Sequence, residues 1–375
     1  MEAIPVIAIF DVGKTNKKLF LFDEHYQIVY EKSARFIETI DEDGDTCENL
    51  ESLRLSVFDS LNEIFRLKKF VVKAVNFSAY GASFVYIGAD GKPLTPLYNY
   101  LKPYPEELSA RFYDTYGGEE TVSVKTASPV LGSLNSGMQL YRLKYMQPEV
   151  FGKVSAALHL PQYLSYLLTG EAYSDLTSIG CHTGLWNFET NDYHQWVAQE
   201  GITEKLPPVA AANTVKPALF PGSTFEVGIG LHDSSAALIP YMVNFNEPFI
   251  LISTGTWCIS LNPFNQSPLT AQQLTDDCLC YLGFQGKPVK ASRLFAGYEH
   301  ETQVKRITDH FGENVQRYRT MDFDAEVINR LQKRPSIYPT EFKKTSVFAE
   351  RALNDFADDT EAYHQLILDL VQLQV

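Results

Sequence analysis

The chain has 375 residues, 45% of them hydrophobic and 21% charged, with a formal net charge of −14. That length supports two domains with substantial cores, and the composition is that of an ordinary soluble globular protein. The acidic balance repels a phosphate backbone and no Lys/Arg cluster offsets it, which argues against a nucleic-acid partner. A nucleotide would have to arrive as its magnesium complex, held locally by backbone amides. Five cysteines lack a disulfide or metal-site spacing, and even Cys278 and Cys280 on one strand face have nothing nearby to complete a site, so they read as free thiols of a reducing compartment. The opening Met1-Glu2-Ala3-Ile4-Pro5 has no basic region, and no apolar run reaches bilayer-spanning length. A cytoplasmic protein with no membrane partner is expected.

Residues 6–10 predict a strand covered on both faces, because their apolarity is continuous rather than alternating. Asp11-Val12-Gly13-Lys14-Thr15-Asn16 follows as a tight turn, residues 19–22 return as a strand, and residues 28–30 begin a third. Ala8 to Thr15 fits a loose phosphate-loop pattern, but the residues before Gly13 belong to a buried strand and another strand follows. A Walker loop needs a glycine-rich segment feeding a helix, so that reading is rejected. The turn still presents backbone amides, and Asp11 is either a holder of a magnesium-bound water or an ordinary turn residue. Residues 41–45 look like a calcium loop, but the glycine falls too early and no glutamate closes it; a solvated acidic turn is expected. A helix over 50–65 and strands over 71–77 and 83–87 complete the opening order of a ribonuclease-H-like unit.

Residues 78–84 form a glycine corner carrying Tyr80, Gly81 and Ser83, and Tyr98, Tyr100 and Tyr104 follow in a Pro-rich loop. Hydroxyls and aromatic faces at a strand end suit a small polyol, with ordinary surface tyrosines as the alternative. Helices are expected over 133–151, with Met138, Leu140, Leu143 and Met146 buried and Ser136 and Gln139 as polar exceptions, and over 156–168. His182 reads as a structural histidine rather than a base. A Pro-rich connector over 206–221 leads to Gly228-Ile229-Gly230-Leu231-His232-Asp233. Asp233 is either a catalytic base or the N-cap of the helix that follows it. A new unit opens at Pro248, with a buried strand over 249–252, the turn Ser253-Thr254-Gly255-Thr256, and a return strand over 257–261. This repeats the architecture of residues 6–22, the trace of two related domains clamping one phosphate chain. Helices are expected over 292–311 and from 345 to the end.

On these residues the chain resembles the FGGY carbohydrate kinases of the actin/hexokinase superfamily. Asp11 to Asn16 is similar to the family's Asp-x-Gly-Thr-Thr turn, with Lys14 a departure; Gly230-Leu231-His232-Asp233 is similar to its Gly-x-x-Asp element, and residues 253–256 to its second phosphate element. The His-Asp pair and Tyr80-Gly81 with Phe84 lean towards the rhamnulokinase-like branch, whose Trp and Asp are here Tyr80 and Ser83. Tyr100-Leu101-Lys102-Pro103-Tyr104 stands where many relatives have Trp-x-Asp-x-Arg.

The resemblance implies an α/β fold of two ribonuclease-H-like, actin-like ATPase domains with a cleft between them: residues 1–243 for the sugar and 244–375 for the nucleotide. Relatives continue into a Gly-Gly adenosine element, so the second domain is expected to be incomplete at its C-terminus. By the same resemblance Asp233 takes the proton of the attacking hydroxyl and Asp11 holds Mg2+. Gly13, Lys14, Thr15, Asn16, Thr254, Gly255 and Thr256 would hold the phosphates of ATP. Tyr80, Gly81, Ser83, Tyr100, Gln139, His232 and Asp233 would approach the sugar. The expected activity is ATP-dependent phosphoryl transfer to a small ketose, rhamnulose or fuculose first and xylulose or ribulose next. The rival is a non-catalytic sugar- or nucleotide-binding relative, and either leaves room for a homodimer.

Overall fold

The computed structural model describes residues 3–374 other than 15, 36, 223, 256 and 335–345. The chain divides into two compact units, the first of Met1–Pro248 with Pro263–Leu274 and Leu279–Lys290, the second of Phe249–Asn262, Thr275–Cys278 and Ala291–Val375.

The first unit opens with β1 (Ile4–Val12), β2 (Asn16–Phe22) and β3 (Ile28–Arg35), then the short hairpin β4 (Glu38–Ile40) and β5 (Thr46–Glu48). Helix α1 (Leu50–Leu67) follows, capped by Asn49, and buries Leu53, Val57, Leu61 and Ile64 at helical spacing. Strand β6 (Phe70–Ala79) then enters the sheet parallel to β1, and β7 (Phe84–Ile87) leaves it. Asp11 and Val12 remain inside β1, paired with Lys18 and Lys17, so the hairpin is tighter than the sequence suggests. A helical layer comes next: α2 (Glu106–Tyr116), α3 (Glu119–Thr126), α4 (Ser136–Met146) and α5 (Pro148–Lys153). The helix expected over 133–151 is thus broken at Gln147 by Pro148, and Met146 is exposed rather than buried.

The helix expected over 156–168 is also divided. Its first residues form β8 (Ala156–His159), antiparallel to β7, and α6 (Leu160–Thr169) begins with Pro161 in its first turn. The unit continues with β9 (Ser174–Asp175), α7 (Leu176–Ile179), β10 (Trp186–Asn187), β11 (Asp192–Tyr193), α8 (Gln195–Gln199), β12 (Val209–Ala210) and β13 (Val215–Pro217). It then reaches β14 (Glu226–Gly228), β15 (Leu231–His232) and α9 (Asp233–Asn244). The main sheet runs β13-β14-β6-β1-β2-β3, with β15 also paired to β6. Its core joins Phe10, Leu21, Val75 and Phe77 to Leu53, Leu61, Leu160 and Leu164 of the covering helices.

In the second unit, β16 (Leu251–Ser253) and β17 (Cys258–Asn262) form the expected antiparallel pair. The strand over 249–252 is not buried, however: Ile250 and Ile252 are 60% and 52% exposed. The chain then runs through α10 (Ala271–Thr275) and β18 (Cys278–Leu282), which fall mostly in the first unit, and β19 (Pro288–Leu294), whose last four residues belong to the second. Helix α11 (Ala296–Phe311) therefore starts later than the expected 292, because residues 288–294 are committed to a strand. Helices α12 (Ala325–Leu331) and α13 (Asp359–Gln374) follow, and the single helix expected from 345 is instead two short 3-10 turns before α13. Leu294, Ile307, Phe348 and Leu366 share its core. Among the described residues no helix is long and apolar enough to cross a membrane, and none of the five cysteines is in a disulfide.

The acidic turn at 41–45 is solvated only in part: Asp43 and Asp45 keep 51% and 41% side-chain exposure. Asp41 is buried, and the buried ammonium of Lys102 lies 2.5 Å from its Oδ2, 2.8 Å from Asp43 and 3.3 Å from Asp45. Burial works against the charge of Lys102, but its bonds to Asp41 and Asp43 outweigh that and raise it above an ordinary lysine. The three carboxylates lie within 4.8 Å of one another, a spacing that would suit a cation, and a lysine supplies the charge. Lys102→Met would leave Asp41 buried without its counter-charge, and should cost roughly 3 kcal/mol of unfolding free energy in urea titrations. A loss below about 0.5 kcal/mol would mean that the acidic turn does not depend on this ammonium.

Candidate active site

The site grows from the register of β6. On one side Asp11 pairs with Ser78 and Val12 with Ala79; on the other, Leu231 pairs with Ser78 and His232 with Ala79. Asp11 and Asp233 are thereby brought together at one end of three adjacent parallel strands. Burial raises the Asp11 carboxyl above its ordinary value, repulsion from Asp233 adds to this, and Lys18 opposes it.

The chain enters this position through Gly230. Its φ of +80° is left-handed, and any Cβ there would collide with the carbonyl of Pro161. Its amide donates to Asn76 Oδ1 at 3.1 Å, and its carbonyl accepts from Gln162 Nε2 at 2.8 Å. The next residues are fixed in turn: the His232 amide donates to Thr177 Oγ1 at 2.9 Å, and Thr177 donates its hydroxyl proton to buried Asp175. Helix α9 then begins. His232 occupies the N-cap, so Asp233 is the first helical residue and its Oδ1 accepts from the following amide, that of Ser234, at 2.6 Å. The N-cap alternative for Asp233 is corrected accordingly, and its side chain keeps 38% exposure.

The His232 ring is nearly buried, with Nε2 3.2 Å from Cys181 Sγ and 3.4 Å from Asp233 Oδ1. Burial pushes this imidazole below its ordinary value against the pull of Asp233. Gly81 makes room for it, since a Cβ there would come within 2.7 Å of His232 Cδ2. Gln139 is buried beside the same corner, donating through Nε2 to Ala82 O and Ser133 O at 2.6 Å each. Gln139 Oε1 and His232 Nδ1 are buried and find no hydrogen-bond partner among the described residues. Buried polar atoms are almost always paired, so these two are open to a polar ligand. Ser83 is buried next to the corner.

At the hairpin, the Gly13 amide donates to Asn16 O at 3.0 Å, closing the turn. Lys14 leaves it toward a cluster that the sequence did not announce. Its Nζ is 2.5 Å from Glu48 Oε1, and 5.6 and 5.1 Å from the ring centroids of Tyr80 and Tyr100. Glu48 is buried, and its Oε2 accepts from Tyr80 Oη at 2.6 Å. Tyr80 and Tyr100 meet edge to face at 5.8 Å. Burial, then Glu48, raises the Tyr80 phenol well above its ordinary value, so it stays a donor. Tyr80 is therefore a buried residue, not a surface tyrosine.

Residues 6–239 match the N-terminal domain of the FGGY family of carbohydrate kinases, and residues 246–370 match its C-terminal domain. The chain belongs to the FGGY family. It is similar to a rhamnulokinase of Yersinia pestis, strain Pestoides F, at 26% identity over 276 residues, which is 70% of this chain and 55% of that protein. A rhamnulokinase of Halalkalibacterium halodurans is 23% identical over 71% of this chain and 56% of its own length. The chain thus spans little more than half the length of these curated relatives. Among solved structures, a carbohydrate kinase from Novosphingobium aromaticivorans superposes with a TM-score of 0.81 at 24% identity, over 98% of this chain and 81% of that one. A ligand-bound xylulose kinase from Lactobacillus acidophilus gives 0.74 at 16% identity, over 99% and 79%. The mixed α/β, two-domain fold is that of FGGY kinases.

Within this FGGY fold the first unit brings Asp11, Lys14, Tyr80, Gly81, Tyr100, His232 and Asp233 together, with Gln139 behind the glycine corner. Thr254 and Gly255 lie in the second unit, on the wall of an apolar cavity of about 480 Å³ shared with Ile252, Cys258, His300 and Leu370. Thr15 and Thr256 lie outside the described residues. Sequence reasoning missed Glu48, Asp175, Thr177 and Cys181; Glu48 and Cys181 are far in the chain from their partners, whereas Asp175 caps α7 two residues before Thr177, a local signal that could have found both.

Asp175 is one source of pH dependence in this scaffold. It is 1% exposed, and burial lifts its carboxyl from 3.8 to about 6 despite the bonds it accepts from Thr177 and Ser178. A native value above the unfolded one means that the folded state holds the proton more tightly. Its contribution to stability is therefore present below about pH 4 and is lost as the pH rises through about 6. Asp175→Asn cannot titrate, so its melting temperature should change less with pH than the wild type's between pH 4 and 6. Identical slopes would assign that dependence to other groups.

Proposed function

We propose that this FGGY chain is an ATP-dependent sugar kinase that transfers the γ-phosphoryl group to a hydroxyl of a small ketose. The observation that carries the reading is the pairing of Asp11 and Asp233 beside an amide-bearing glycine turn. Phosphoryl transfer proceeds through a loose transition state, so a protein serves it by positioning and by charge rather than by covalent chemistry. In this reading Asp233 accepts the proton of the attacking hydroxyl, its half-exposed carboxylate carried by the first residue of α9. The hydroxyl oxygen bonds to the γ-phosphorus as the bond to the leaving ADP oxygen breaks.

Asp11 is the residue for magnesium: a hard carboxylate donor whose repulsion by Asp233 a divalent cation would relieve. Magnesium, when bound, would supply positive charge to the nucleotide phosphates. Gly13, Lys14, Thr15 and Asn16 from the first turn, with Thr254, Gly255 and Thr256 from the second, hold those phosphates. Tyr80, Gly81, Ser83, Tyr100, Gln139 and His232 form the sugar site, where the open Gln139 Oε1 and His232 Nδ1 would each take a sugar hydroxyl. Residues 1–243 are assigned to the sugar and 244–375 to the nucleotide. The free cysteines suit a reducing cytoplasm.

Two rhamnulokinase relatives support a 6-deoxyketose such as L-rhamnulose or L-fuculose as the first acceptor to try, and a xylulose kinase of the same fold supports D-xylulose and D-ribulose next. The test is ADP release coupled to a spectrophotometric readout over this sugar panel with Mg-ATP. One sugar should stimulate release strongly. If a panel sugar binds in calorimetry and none stimulates release, the chain is a binding protein instead. Asp233→Asn should fold and bind sugar while turning over at least about a hundredfold more slowly; near-normal turnover would remove Asp233 from the role of base.

A further inference from the structure

The turn at Gly13 carries an ammonium where the family pattern has a hydroxyl, and the structure shows where that ammonium goes. We propose that Lys14 Nζ is the side-chain cation that meets the transferring phosphoryl group, held for this by the buried carboxylate of Glu48. The proposal rests on the kinase reading above.

Three observations support it. The first is placement. Lys14 is rooted in the turn assigned to the phosphates, yet its Nζ lies against the faces of Tyr80 and Tyr100, which belong to the sugar site. The Tyr100 phenol feels both Glu48 and Asp233. The ammonium therefore joins the turn assigned to the phosphates to the tyrosines assigned to the sugar.

The second is charge. Glu48 and Asp233 both act on the Tyr100 phenol beside this ammonium, and Asp233 also acts on Asp11, so a triphosphate entering here would be repelled unless a cation faced it. Of the neighbouring lysines, Lys17 is buried, and Lys18, which faces Asp11 across the hairpin, has its Nζ 3.4 Å from Glu31 Oε1 of β3. Lys14 keeps 27% side-chain exposure and points toward the tyrosine pair.

The third is the anchor. Glu48 already accepts from Tyr80 Oη at 2.6 Å, so when Lys14 turns one of its protons to a phosphoryl oxygen the carboxylate is not left bare. An ammonium has three donors, enough to keep Glu48 and gain a phosphoryl oxygen together. In the transfer the acceptor oxygen forms its bond to phosphorus, the bridging oxygen leaves on ADP with the electron pair, and the proton goes to Asp233. Lys14 remains protonated throughout. Lys14 would act at the reacting atoms; Glu48 acts through it and is a positioning residue.

The rival explanation is that Lys14 only neutralises a buried Glu48. Lys14→Met alone cannot separate the two, because a lone buried carboxylate would weaken folding. The double variant Lys14→Met with Glu48→Gln removes both charges while keeping both shapes. Under the proposal, both variants lose about a hundredfold in kcat with sugar KM within about threefold, and Glu48→Gln alone falls between them and the wild type. A second readout needs no turnover: calorimetric affinity for Mg-ADP and for the non-hydrolysable imido analogue of Mg-ATP. The double variant should lose at least about fivefold more affinity for the triphosphate than for the diphosphate. Wild-type turnover in the double variant, or equal loss for both nucleotides, would overturn the proposal. A wild type without sugar-dependent ADP release would sink the kinase reading itself, and the nucleotide comparison would still decide Lys14.

Discussion

Everything in the first unit depends on β6 being a shared parallel neighbour. It fixes Asp11 on one flank and Leu231-His232 on the other to the same two residues, Ser78 and Ala79. A slip of one residue on either side would turn the side chains of that strand to the opposite face. The two carboxylates therefore meet because of hydrogen-bond register, not because of any attraction between them; their repulsion adds to burial in raising Asp11. The sheet supplies the work of holding like charges together. Asn76 reinforces it, bonding the Gly230 amide from within the same strand.

Around that pair, the molecule places its buried charges in matched sets. Glu48 is met by Lys14 and by the Tyr80 hydroxyl, and Asp41 by Lys102 and two backbone amides. Burying an unpaired ion is far more costly than burying a bonded one. These sets flank the Tyr98–Tyr104 loop, with Lys14 against Tyr100 and Lys102 against Tyr98, so the loop is held by charge as well as by packing. A small cavity beside it is lined by Tyr98, Lys102, Gln139 and Arg142.

Much of this was legible in the sequence. The continuous apolar run before Asp11, the returning strand, the helix over 50–65 and the turn before Asp233 each have a local signature. The failures have physical causes. Residues 156–159 form a strand because β7 is there to pair with, and a short apolar run does not distinguish strand from helix by period. The helix over 133–151 broke at a proline that periodicity overlooks. Glu48 could not be found at all: it sits in an acidic stretch, and its partners, Lys14 and Tyr80, are distant in the chain. Asp41 is buried within a turn whose pattern reads as solvated, and its counter-charge, Lys102, lies far along the sequence. Local pattern reports backbone and face; long-range charge pairing leaves no periodic trace.

The seating of Lys102 among Asp41, Asp43 and Asp45 has a consequence for how this segment experiences its surroundings. Loops of clustered aspartates usually owe their order to a dissolved ion, and so to its supply. Here the cation is encoded in the chain and present at a fixed ratio of one. The ammonium of Lys102 already neutralises the aspartates that such an ion would seek. The vulnerability moves from metal homeostasis to amine chemistry, since acylation of one lysine would empty the seat, and burial of that lysine to 5% exposure guards it.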